Sequence, residues 1–296
     1  MDTSRIELSS PNPIPLRAIV RSHGWCQLLP LRWDEAEAVL SRTEQLGPRV
    51  VELDVCQAGE RALGCTARSA ETVSAADQTA LTGRLRWMLS LDEELDEFYR
   101  LCAADAKLAH VPREGKGRIL RSPTLFEDTV KCICTTNTTW AQTKGMVRRL
   151  VEQLGAPGPV DGHRAFPTPQ AIAAAGVGVL KDEVRLGYRA PYVQQLAASV
   201  ASGELDLEAL RTSSEPTPEL RRRLLAIKGV GPYAAATLLN LLGRYDHIGV
   251  DTWARKLVSS QFHAGQPVTE AEVQAAFASF GPWRALAFWF YDWDEL

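Results

Sequence analysis

Between residues 36 and 67 apolar and polar positions alternate: Ala36, Ala38 and Leu40, then Val51, Leu53 and Val55, then Leu63, Cys65 and Ala67. A period of two puts one face of each run on a core. The stretch therefore predicts short antiparallel strands, with Gly47-Pro48 and Gly59-Glu60 as turns. Elsewhere the period is helical. Pro15 to His23 reads as a short helix, packed onto the sheet by the Trp25 and Trp33 region. Leu81, Leu85, Met88 and Leu89 stripe a helix over Ala75 to Leu89, and Leu95, Phe98, Tyr99 and Cys102 stripe the next. Beyond these, almost no strand signal remains. Ser122 to Gly155 holds two helices parted by the polar break Thr135 to Thr139, and Gly155 to Pro169 is a Gly- and Pro-rich loop. Helices follow over Pro191 to Ser202, Thr269 to Phe280 and Pro282 to Trp293. The expected fold is α+β and mainly α. An N-terminal antiparallel β-sheet lobe occupies residues 1–115, and a helical region occupies 116–296, its last helices packing back on that lobe.

Within the helical region, residues 217–243 and the carboxylate that follows carry the most information. The stretch from Leu225 to Asp251 reads as a helix end, a Gly229-Val230-Gly231 hairpin, a second helix from Pro232 to Gly243, and Asp251. Two glycines let a turn take φ > 0 and aim several N–H groups at one oxygen. The second helix points the positive end of its dipole at the same place, so a phosphate is the natural guest. Lys228, beside the hairpin, adds a cation.

Composition narrows the partners. The chain has 296 residues, 45% hydrophobic and 23% charged, as in an ordinary globular protein. A formal charge of -3 argues against binding nucleic acid by bulk electrostatics. Basic clusters are local: Arg113, Lys116, Arg118 and Arg121; Lys144, Arg148 and Arg149; Arg221 to Arg223 with Lys228; Arg255 with Lys256. Acid gathers at Asp92 to Glu97 and in Asp292, Asp294 and Glu295. The six cysteines include no Cys-x-x-Cys pair, and none follows Cys134. Cys132 and Cys134 read as small buried residues in a reducing compartment. With no run of 18 apolar residues and no basic-then-apolar leader, the expected location is cytoplasmic, at the nucleoid, as a monomer.

The run Ile227-Lys228-Gly229-Val230-Gly231, followed twenty residues later by Val250-Asp251-Thr252, resembles the helix-hairpin-helix DNA glycosylases, which include 3-methyladenine DNA glycosylase II and 8-oxoguanine glycosylase. The resemblance covers residues 120 to 293, and the N-terminal sheet by architecture alone. It implies a base excision repair enzyme that flips a damaged base out of duplex DNA. Asp251 would be the catalytic carboxylate, facing the oxocarbenium-like sugar; the same residue also suits the N-cap of the helix that follows. Gly229, Val230, Gly231 and Lys228 would hold DNA phosphate, with a monovalent cation on hairpin carbonyls, and Arg255 would add a contact. Thr138 lies in a break that is either a plain helix–helix turn or the loop that fills the space left by the flipped nucleotide. Leu186-Gly-Tyr-Arg-Ala190 is similar to the block that gives the 8-oxoguanine enzymes a wedge, here Tyr188, and a contact to the widowed base, here Arg189.

Two departures from the family pattern sharpen the expectation. Bifunctional members carry a Schiff-base Lys two residues after the second hairpin glycine, where this chain has Tyr233, so the resemblance implies a hydrolytic, monofunctional enzyme. The iron–sulfur cysteines of some members are missing, so no cluster and no required cofactor is expected. The groups that bind oxidised guanine in the 8-oxoguanine enzymes fall on Tyr233, Thr237, Phe288 and Asp292, which are different residue types. Aromatic residues at Phe288, Trp289, Tyr291 and Trp293, with an acid at Asp292, point to N-alkylated purines. The alternatives are an enzyme for oxidised, deaminated or otherwise modified bases, and a damaged-DNA-binding module without catalysis.

Overall fold

The computed structural model describes residues 1–293; Asp294 and Glu295 of the acidic tail lie outside them. The strands are β1 Asp2–Ser9, β2 Leu31–Asp34, β3 Val39–Leu46, β4 Arg49–Gly59 and β5 Ala62–Ser69. They form one antiparallel sheet in the order β1-β5-β4-β3-β2. The alternation is clearest in β5, where Leu63, Cys65, Ala67 and Ser69 are buried. The expected turn at 47–48 is in place and the second falls at 60–61, because Gly59 still pairs with Ala62. Ala36 and Ala38, expected on a strand, lie in the turn between β2 and β3, and β1 and β2 were not foreseen from the pattern.

The helices are α1 Leu16–Val20, α2 Ala75–Met88, α3 Asp96–Ala103, α4 His110–Arg113, α5 Leu125–Thr135, α6 Trp140–Leu154, α7 Pro169–Asp182, α8 Ala190–Ala201, α9 Thr217–Leu225, α10 Pro232–Leu241, α11 Thr252–Phe262, α12 Glu270–Ala276 and α13 Arg284–Phe290. After β5 the only pairing among the described residues is one isolated bridge, Pro157 to Arg164.

The chain divides into two compact units with interleaved sequence. One unit comprises residues 1–92 and 118–209, the other 93–117 and 210–296. In the first, α5 is sunk so deeply that Glu127, Asp128 and Lys131 are buried with its apolar face. The Arg42 guanidinium on β3 grips both Glu127 oxygens at 3.0 and 2.6 Å, and Lys131 Nζ lies 2.7 Å from Oε1. Burial alone would raise the Glu127 pKa; these two cations hold it down to about 2. Trp25 does not simply pad the sheet, because its Nε1 donates to Asp128 Oδ1 at 2.7 Å. Trp33 stands at the surface and donates to Glu35. Cys132 and Cys134 are buried, as their spacing implied.

In the second unit the C-terminal helices meet α3. Trp283 lies 5.7 Å from the Phe98 ring and stacks on Tyr245 at 5.8 Å.

Candidate active site

The hairpin forms between α9 and α10. Val230 N donates to Ile227 O at 3.0 Å, closing the turn, and Gly229 takes φ 90. Gly231 does not take positive φ: it is the N-cap of α10 at φ -89, ψ -177. Nor does crowding within the fold demand a glycine. A Cβ there would meet nothing within 4 Å, so it would project into open space in front of the α10 N-terminus. Pro232 opens α10, where a missing N–H costs no helical bond. At the other end Gly243 takes φ 76, with Gly243 N on Asn240 O and Arg244 N on Leu239 O, the paired bonds of a Schellman stop.

Lys228 is exposed at the hairpin. The neighbouring arginines are less available, since Arg222 pairs with Glu219 and Arg223 with Glu215. Among the described residues the carbonyls of Ala226, Lys228 and Gly229 accept no backbone hydrogen bond. Carbonyl oxygen is the donor type that a hard cation takes, so the hairpin chemistry is compatible with one.

Asp251 caps α11: Oδ1 accepts from Ala254 N at 2.7 Å. Oδ2 accepts no hydrogen bond among the described residues. Asp251 borders a cleft of about 190 Å³ whose walls include Tyr233, Trp253, Phe288 and Trp289. Two details that the sequence reading missed set the carboxylate's place. A Cβ on Gly249 would lie 2.6 Å from Ala236 Cβ, so only glycine lets this segment run against α10. The Gln274 side chain on α12 then clamps Ile248, accepting from its N–H at 3.1 Å and donating to its carbonyl at 2.8 Å. The approach to Asp251 is thus held like a strand, by a side-chain amide in place of a neighbouring backbone.

The cleft gathers Tyr233, Thr237 and Phe288 but not Asp292. Helix α13 stops at Phe290, and Tyr291 turns to φ -59, ψ 138, which breaks the spacing that would have carried Asp292 to the face of Phe288. Asp292 is exposed, its backbone N–H on Lys107 O. Of the four C-terminal aromatics, Phe288 and Trp289 border the cleft, whereas Tyr291 and Trp293 pack around Phe277. Arg255 donates to Val268 O at 2.7 Å, bracing the loop after α11. On the exposed side Lys256 sits over the Trp253 ring.

The break between α5 and α6 lies in the other unit. Its tip is Asn137, exposed and at φ 45, a conformation Asn tolerates better than most residues. Thr138 is half-buried and donates to Gln142 Oε1 at 2.8 Å, inside the capping arrangement of α6. Tyr188 is 51% exposed, with its hydroxyl 3.4 Å from both Thr136 Oγ1 and Asn137 Nδ2. Hydrogen bonding to Thr136 is the first of the causes that lower its pKa. Arg189 does not stand free beside it. The guanidinium is buried, donates to the carbonyls of Thr136 and Asn137, and stacks on Tyr188 at 4.4 Å. It fixes the turn and the tyrosine to each other. Of the basic cluster before α5, Arg118 and Arg121 are buried, and Arg121 lies over Trp87.

Known structures share this architecture. A 3-methyladenine DNA glycosylase from Archaeoglobus fulgidus superposes with a TM-score of 0.77 at 22% identity, covering 96% of each chain. The apo form of an 8-oxoguanine glycosylase/lyase from Clostridium acetobutylicum gives 0.75 at 20% identity, over 98% of this chain and 96% of that one. The Clostridium enzyme bound to double-stranded DNA with cytosine opposite 8-oxoG gives 0.71 at 20% identity, over 98% of both chains. Residues 130–282, more than half of the chain, match the HhH-GPD family, and the protein therefore belongs to the HhH-GPD superfamily of base excision DNA repair proteins.

Proposed function

We propose that the protein is a monofunctional DNA glycosylase that hydrolyses the N-glycosidic bond of a flipped, damaged base in duplex DNA, with N-alkylated purines as its substrate class. The observation that carries the reading is Asp251, a carboxylate anchored through one oxygen on the border of an aromatic cleft that begins at the helix after the hairpin. As the base departs, the deoxyribose gains positive charge. A fixed carboxylate stabilises that charge without reorganising and orients water for attack. Tyr233 stands where a Schiff-base lysine would have to be, so the chemistry goes through water.

DNA phosphate docks on the hairpin N–H groups and Lys228, with a monovalent cation on the Ala226, Lys228 and Gly229 carbonyls adding positive charge at the same place. Tyr188 and Asn137 enter the stack, and Arg189 holds them in register. With Asp292 outside the cleft, the preference for alkylated purines rests on the aromatic walls, whose faces attract a cationic ring.

Duplexes carrying one lesion each test the reading. The expected product is an intact strand with an abasic site that breaks only in alkali, with no borohydride-trapped adduct. Asp251→Asn keeps an N-capping side chain but removes the charge, so excision should fall roughly 10²–10³-fold while DNA binding survives. Strand nicking with trapping, or full activity in Asp251→Asn, would overturn the assignment. Excision of oxidised but not alkylated bases would move the substrate class alone.

A further inference from the structure

Asn240 is 6% exposed, and its Oδ1 has no hydrogen-bond partner. Among the described residues its Nδ2 makes no hydrogen bond either. An uncommitted buried amide is a standing cost to the fold, and leucine, of nearly the same size, would fill the position on a helix otherwise lined with Ala and Leu without that cost. The residue also lies where a ligand would go. Tyr233, Ala236, Thr237 and Asn240 recur at helical spacing along one face of α10, and all four border the cleft shared with Asp251. Other walls include Trp253, Phe288 and Trp289, whose ring faces cannot tell one base edge from another.

From this juxtaposition we infer that Asn240 is the specificity residue of the cleft, whose side-chain amide reads the edge of the flipped base. The inference rests on the glycosylase reading above and extends it to a recognition rule. No partner fixes the amide, so it can turn its oxygen to the cleft; as an acceptor there, that oxygen prefers a base that presents an N–H, from an exocyclic amine or a protonated ring nitrogen. N7-methylguanine, with N1–H and an N2 amine, and N3-methyladenine, with an N6 amine, meet the rule. In 1,N6-ethenoadenine the bridge removes both amine hydrogens, and once the base is attached to deoxyribose no N–H remains. A site built to hydrogen-bond a group discriminates strongly against an analogue that lacks it, because its own polar atom is then left buried and unpaired.

The test compares wild type, Asn240→Leu, Asn240→Ala and Asp251→Asn. On duplexes with one N7-methylguanine, corrected for spontaneous base loss, both Asn240 variants should lose about ten-fold or more in single-turnover excision. The Tm of Asn240→Leu should stay level or rise. Wild type should act poorly on ethenoadenine, and Asn240→Leu should leave that low rate unchanged. A second arm does not depend on catalysis: free N3-methyladenine is titrated against the fluorescence of Trp253 and Trp289. Wild type and Asp251→Asn should bind alike, and Asn240→Leu about ten-fold more weakly. If no lesion is excised by wild type yet this binding pattern holds, the catalytic reading fails and Asn240 stands. The inference is overturned if Asn240→Leu excises and binds as wild type does, if ethenoadenine is removed as readily as N7-methylguanine, or if both variants lose activity in proportion to a fall in Tm.

Discussion

At Gly231 the backbone departs from the reason for which a glycine is expected there. Its place in the Gly-x-Gly run suggested a positive φ, yet φ is -89 and any L residue can adopt that backbone. The space in front of it is open. Gly231→Ala should therefore fold normally, with an unchanged Tm, because neither strain nor an internal clash is introduced. The added methyl would instead meet whatever docks against the α10 N-terminus. Binding to lesion-bearing and undamaged duplex should weaken to the same extent in a mobility-shift titration, since a phosphate contact positions DNA without reading sequence. Loss confined to the lesion duplex would place Gly231 in base recognition. At this scale the hairpin, the N-cap aspartate and the tyrosine in the lysine position were all legible, because each depends on its immediate neighbours in sequence. Asp292 was misplaced because its position depends on where α13 ends.

Elements introduce relations that no local pattern contains. Gln274 lies twenty-three residues beyond Asp251, on a helix whose sequence shows only a capping box and Val273 as its buried position. Nothing in that pattern marks the glutamine, yet its amide holds Ile248 by two hydrogen bonds. Gln274→Leu keeps the volume and removes both, which should free the segment leading to Asp251. We expect kcat to fall by roughly ten-fold while KM and duplex affinity change little, as for a group that only positions the reacting carboxylate. A matching loss of affinity would mean that α10 and the hairpin had moved as well. The turn between α5 and α6 gives a second case. The polar break was visible, but Arg189 was expected at the DNA and is instead spent on the Thr136 and Asn137 carbonyls. Tyr188→Ala should lower excision from a stable base pair more than from a mismatch, because a mismatched base costs less to unstack. Equal loss on both substrates in single-turnover assays would mean that Tyr188 only buttresses the turn. β1 escaped notice for a related reason: it pairs with β5, some sixty residues away, and eight residues at the N-terminus carry too little alternation to announce that partner.

For the chain as a whole, the sequence predicts pH dependence poorly, because titration depends on which side chains become buried together. His23 was unremarked in the pattern. In the fold its Nε2 lies 2.6 Å from Leu120 O, as a neutral imidazole that donates its N–H. Burial lowers its pKa to about 4; the bond to Leu120 opposes that shift and the charge on Lys131 adds to it. Since the folded value lies below the unfolded value of 6.5, protons bind the unfolded chain first. The contribution of His23 is therefore complete above about pH 6.5, declines as pH falls, and is exhausted below about pH 4, amounting to about 3 kcal/mol. Asp128 works in the opposite direction, because burial pushes its carboxyl upward and the folded form then gains from taking a proton. Glu127, held near 2 by Arg42 and Lys131, stays ionised in the fold throughout this window; its contribution starts to fall only at the lower edge, as the unfolded carboxyl takes its proton near 4.5, and is lost in stronger acid. His23→Gln retains a donor for Leu120 O but cannot titrate. Chemical denaturation at pH 7 and pH 4.5 should show the wild type losing stability over that interval and the variant losing roughly 2 kcal/mol less. Equal losses in the two proteins would show that His23 is not the group that takes up the proton, leaving the surface carboxylates as the source of any acid sensitivity.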